Sequence, residues 1–159
     1  MKKTYYFILS AALLLGGVFA SCDKDDEETT PTTTTTTTDV ASAVVGSYEG
    51  TLIQSVGTSV DTVSATITLT KESASTVKVQ IPAYGEGRMA MSAFGIEGVA
   101  VAKSNNDYTL TKESYSVTPA STEYKGSLSG TVKGGKLALD YTVTPGAMPM
   151  AINFNFSQD

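Results

Sequence analysis

The chain contains no histidine and no tryptophan, and it has one cysteine and one arginine. Each scarcity removes a class of function. Without histidine, the usual proton-transfer group near neutral pH is missing, and so is the commonest transition-metal ligand. A single cysteine cannot close an internal disulfide. Eleven basic residues against sixteen acidic ones, net charge −5, leave no basic footprint of the kind nucleic acid requires. Gly85-Glu86-Gly87 lacks the spacing and the Lys-Ser/Thr of a phosphate loop and reads as a turn. Glu86, Glu97, Asp107 and Asp140 are scattered carboxylates. Only a fold that brought two of them together could make a glycosidase-like pair. The reading is a non-enzymatic protein with no cofactor and no metal site.

What is present begins with an export signal. Met1-Lys2-Lys3 precedes an uncharged stretch from Tyr5 to Phe19, which ends in Ala20-Ser21 before Cys22. A basic start, an apolar centre and a small-residue exit are the three parts of a secretory signal. The apolar run falls short of the roughly 20 residues that span a bilayer. An uncleaved signal anchor and a free thiol for intermolecular pairing are the competing readings of this region. Phe19-Ala20-Ser21-Cys22 resembles the bacterial lipobox, with Phe19 where an aliphatic residue is usual. That resemblance implies cleavage after residue 21 and lipidation of Cys22 as the mature N-terminus. Acyl chains at about 0.8 kcal/mol per buried CH₂ hold almost irreversibly when several act together.

Residues 22–42 then read as anchor and tether. Asp23-Lys24-Asp25-Asp26-Glu27-Glu28 is a charge run that cannot form a core. Lys24-Asp25-Asp26-Glu27 resembles the acidic stretch that directs lipoproteins of the Bacteroidota to the cell surface. The resemblance implies an outer-membrane, surface-exposed location, with the periplasmic leaflet as the alternative. The run Thr32 to Thr38 is low-complexity and β-branched, which favours extended chain. Asp61-Thr62-Val63 is similar to an O-glycosylation pattern of the same bacterial group, which makes Thr62 a candidate acceptor.

From residue 43 to 159 the apolar pattern has period two. Val63, Ala65, Ile67 and Leu69 alternate with polar residues, as do Val77, Val79 and Ile81, and Leu137, Leu139, Tyr141 and Val143. Further strands are expected over 46–55, 88–101, 108–111, 124–132 and 148–156, with Gly95 and Gly98 bending the second of these. Gly134-Gly135 signals a two-residue hairpin and Thr144-Pro145-Gly146 another turn. About eight strands with short links predict an all-β fold, a small antiparallel up-and-down β-barrel, with a β-sandwich as the alternative. Glycines 50, 126 and 130 fall on the inward face, where a missing side chain permits tight coiling. The opposite faces are Thr, Ser, Lys and Asn, which excludes the apolar belt of a membrane-spanning barrel.

Gly46-Ser47-Tyr48-Glu49-Gly50-Thr51-Leu52 resembles the opening of the calycin-like β-barrel domain found in such lipoproteins. Leu128-Ser129-Gly130-Thr131-Val132, continuing through Gly134-Gly135-Lys136-Leu137, is similar to its hairpin, and Met148 to Phe154 to its closing strand. The resemblance implies the barrel and no common activity. Gly46-Ser47-Tyr48 is also similar to the lipocalin Gly-x-Trp, with Tyr48 replacing the ring.

Four methionines form two Met-x-Met pairs, Met89/Met91 and Met148/Met150. On a strand each pair faces one side. They fill a core, line a barrel mouth for an apolar ligand, or form a soft thioether site for Cu(I). Tyr48, Met89, Met91, Met148 and Met150 are the candidate pocket residues. Tyr84, after Pro82-Ala83, is a candidate platform for a sugar ring if exposed. The functional expectation is a surface-anchored binding module for a small apolar or glycan ligand, held to the membrane through its lipid. The alternative is an accessory interaction protein with a filled barrel.

Overall fold

A computed structural model describes residues 38–87, 90–146 and 150–158. Eight strands follow one another: β1 (Gly46–Val56), β2 (Ser59–Lys71), β3 (Thr76–Ile81), β4 (Phe94–Ser104), β5 (Asp107–Val117), β6 (Tyr124–Lys133), β7 (Lys136–Pro145) and β8 (Ile152–Ser157). They form a closed antiparallel barrel in chain order, and β8 returns to β1 from Thr51↔Ser157 to Ser55↔Asn153. The meander arises from turns set by local sequence. Gly134 and Gly135, at φ of 56° and 80°, join β6 to β7, and Gly57 at φ 58° starts the two-residue turn between β1 and β2.

The alternation seen in the sequence is the burial pattern. Tyr48 and Leu52 of β1, Ile67 and Leu69 of β2, and Leu137, Leu139, Tyr141 and Val143 of β7 point inward. No polar or charged residue is buried among the described residues beyond the tyrosine hydroxyls. The inward glycines explain how so few strands close. A Cβ on Gly126 would lie 1.9 Å from the Thr142 carbonyl oxygen, and one on Gly50 would lie 2.3 Å from that of Ser157. Neighbouring backbones occupy the space a side chain would need.

Two strands differ from expectation. β4 starts at Phe94, not at residue 88, and β8 starts at Ile152, not at residue 148. Residues 82–87 and 90–93 instead lie over one end of the barrel, tied by paired hydrogen bonds between Tyr84 and Met91. Met91 and Met150, the described members of the two Met-x-Met pairs, therefore lie outside the eight strands. The expected bend in β4 is present as a bulge at Glu97–Gly98, where Gly98 has φ 64° and the register with β3 shifts.

One end of the barrel is closed by the chain itself. Ala41 and Val44 are fully buried there, and Ala41 N–H donates to the Ala74 carbonyl. Asp39 forms an ion pair with Lys71, which holds its carboxyl below the usual aspartate range. At the other end the ladder opens in two places. β2 pairs with β3 only from Thr68↔Gln80 to Lys71↔Val77, and β4 pairs with β5 only from Ala100↔Thr111 to Ser104↔Asp107.

Candidate functional site

The opening between β2 and β3 has a cause in strand length. β2 runs for 13 residues and β3 for 6, so the first half of β2 outlasts its neighbour. Pro82 follows Ile81 directly, lacks an N–H and cannot continue the ladder. A cleft of about 580 Å³ results. Leu52, Val63, Ala65, Pro82 and Ala83 give it an apolar wall, and Glu49, Thr51, Ser64 and Thr66 add polar groups. Tyr84 forms its floor.

Tyr84 is fixed from several sides. Its hydroxyl donates to Asp61 Oδ2 at 2.8 Å, and its ring meets Phe154 edge-on, with centroids 5.6 Å apart. Burial, then the bond to Asp61, pushes its pKa up to about 12. The tyrosine is 7% exposed, so it offers no face to a sugar ring, and the stacking platform considered from sequence is absent.

Behind it lies a layer of aromatics. Tyr141 stacks on Phe154 at 4.8 Å, and Phe94 meets Tyr124 at 5.2 Å. Tyr115 donates to the Thr142 carbonyl at 2.6 Å, and Tyr124 accepts from Ser92 N–H at 3.1 Å. The Tyr141 hydroxyl is buried without a partner among the described residues. Burial raises the pKa of both Tyr115 and Tyr141 well above the ordinary phenol value.

Among the described residues singled out from sequence, Tyr48 lies at the opposite end of the barrel from Met91 and Met150. Met91 is buried, 5% exposed, in the segment that crosses the open end. Met150 is 52% exposed, just before β8. Tyr48 sits at the closed end, where its hydroxyl donates to the Val44 carbonyl at 2.8 Å. Thr62 is exposed on β2, and its N–H donates to Asp61 Oδ1 at 2.9 Å. Cys22, Met89 and Met148 lie outside the described residues, as do the signal and most of the tether.

The cleft itself escaped the sequence reading. Its one signal was the mismatch between a long alternating run before residue 71 and a short one stopped by Pro82. Among the described residues no three His, Cys, Asp or Glu side chains gather as metal ligands. A second depression of about 260 Å³ lies on the outer face of β6, β7 and β8, where Asn155 Nδ2 donates to Asp140 at 2.6 Å. Its lining side chains from that outer face are serine, threonine, asparagine and aspartate.

Comparison with known proteins agrees with this architecture. No curated protein matches the chain. Among solved structures, the chain is similar to a protein of Bacteroides fragilis whose name assigns it to the outer membrane. The two share 25% identity with a TM-score of 0.66, over 76% of this chain and 52% of that one. The chain thus spans about half the length of that relative. The sequence profile of the calycin-like beta-barrel domain matches residues 44–158, the whole closed barrel. The chain belongs to the calycin-like β-barrel domain family.

Proposed function

We propose that this chain is a lipid-anchored protein of the outer membrane, displayed at the cell surface, whose barrel is a non-enzymatic binding module. Cys22 carries the lipid, and the acidic run and threonine tract hold the domain away from the headgroups. The likeness to the Bacteroides fragilis protein supports an envelope location.

The cleft beside β2 is the observation that carries the binding reading. It places an apolar wall next to polar groups where the barrel's own ladder is interrupted. A concave surface that sets apolar area beside convergent polar groups is suited to hold and orient a ligand. The sequence pointed to an apolar or glycan ligand. The lining favours one that presents apolar and hydrogen-bonding groups side by side, and the buried Tyr84 argues against sugar stacking.

The interior favours a second reading, an accessory protein with a filled barrel that engages partners from outside. Ile67, Val79, Ile96, Leu139 and Phe156 are all fully buried within it.

Native mass spectrometry after exposure to a lipid extract and a glycan extract tests the first reading. A retained mass should appear with the native chain and vanish in Ala65→Trp, which fills the cleft. Bare protein in every case would defeat it. Protease shaving of intact cells tests display, which complete protection of the barrel would contradict.

A further inference from the structure

We infer that the free edge of β2 beside the cleft takes an extended, non-acidic peptide as an added strand, with a basic side chain of that peptide reaching Glu49. This rests on the cleft being a binding site and names what it binds.

The hydrogen-bonding phase of β2 follows from its turn. Val56↔Ser59 closes the two-residue hairpin, so odd residues of β2 bond to β1 and even ones face away. The edge of Val60, Thr62, Ser64 and Thr66 therefore points into the opening. Thr62 N–H, engaged by Asp61 Oδ1, has this orientation. At Thr68 the same edge pairs with Gln80 of β3. Between these, Ser64 and Thr66 have no backbone partner on that side among the described residues. The cleft runs along them, with Pro82 opposite, which cannot donate a hydrogen bond in return. An edge of this kind is the template for strand addition. Val60 to Thr66 spans about 20 Å at roughly 3.3 Å per residue, room for six or seven residues of extended peptide.

Beyond Thr62, whose N–H Asp61 holds, the edge at Ser64 and Thr66 is unprotected, in contrast to the other opening. Lys112 Nζ covers the Gly98 carbonyl at 3.4 Å beside β4, and Lys78 pairs with Glu97 at 2.9 Å. Such lysines block strand addition. β2 from Ser59 to Thr66 carries no lysine, no proline and no bulge, while Val60 is 66% and Val63 36% exposed. Charge selects the occupant. Glu49 is the charged residue in the cleft lining, and it stands opposite Thr66 on the outer face. An added strand lies about 10 Å from β1, two strand spacings away. A Lys or Arg side chain can cross Thr66 over that distance, and an acidic one is repelled.

The test uses the full chain in detergent and a blocked peptide, acetyl-STVKVTS-amide. Amide exchange at Ser64 and Thr66 should slow about tenfold or more on saturation, as a new ladder bond forms. Ser64→Pro removes an edge donor without touching the β1 ladder and should abolish binding, whereas Ser64→Ala should retain it. Should Ser64→Pro fail to fold, the charge pair still decides. Glu49→Gln should weaken the lysine peptide and leave a glutamine analogue unchanged. Unchanged exchange at Ser64 and Thr66, or equal binding of a glutamate analogue, overturns the proposal. So does self-association lost in Ser64→Pro, which assigns the edge to a second copy. Lipid or glycan retained in the cleft without peptide binding overturns the peptide and leaves the binding module standing. No ligand of any kind overturns both.

Discussion

Glycine is tolerated at different positions in this barrel for different reasons, and the same substitution separates them. At Gly126 the limit is space, because a Cβ meets the Thr142 carbonyl oxygen at 1.9 Å. Gly126→Ala should force two strands apart and lower stability by about 3 kcal/mol, read from the urea midpoint. At Gly134 there is open space, but φ is 56°. Gly134→Ala should cost only about 1 kcal/mol, the left-handed penalty. Tyrosines set the behaviour in alkali. Unfolded tyrosines ionise near 10. Burial and the bond to Asp61 hold Tyr84 protonated up to about 12, and burial holds Tyr115 and Tyr141 higher still. A raised folded pKa means that stability is intact below pH 10 and declines as pH climbs from 10 through 12. Absorbance at 295 nm should show late tyrosinate formation coincident with unfolding, and early ionisation of every tyrosine would contradict the packing.

Strands in this barrel are unequal, and their inequality creates the cleft. β7 is paired along both edges, with Ala138 opposite Thr131 on one side and Ser157 on the other. β2 is paired along one edge over its first half. Proline should report the difference. Ala138→Pro breaks a ladder bond whichever way its N–H points and should collapse the thermal transition, whereas Ser64→Pro should leave it within a few degrees. Equal damage from both would mean that the β2 edge is occupied. The inward face of most strands was legible in the sequence because one face is buried, and a one-residue slip would expose every apolar side chain at once. The starts of β4 and β8 were not legible. Met89 and Met91, like Met148 and Met150, keep period two in sequence, but period two identifies a strand only where a neighbour supplies hydrogen bonds. At Met91 the neighbour is one residue, Tyr84.

For the whole molecule, the proposed layout has separable parts. Cys22→Ser should abolish incorporation of labelled palmitate and move the protein from the membrane to the soluble fraction, with barrel stability unchanged. Retention in the membrane would point to an uncleaved signal. The sequence by itself determined the eight-stranded alternation, the turns and the inward glycines. These are local properties, set by side-chain type and spacing. Only the tertiary structure decided what the open end of the barrel does. Tyr84, a sugar platform only if exposed, is buried because Phe154 and Asp61, distant in sequence, meet it there. The free edge of β2 likewise has its cause in the lengths of two strands and in Pro82, but it becomes an opening only once β2 and β3 pair in register.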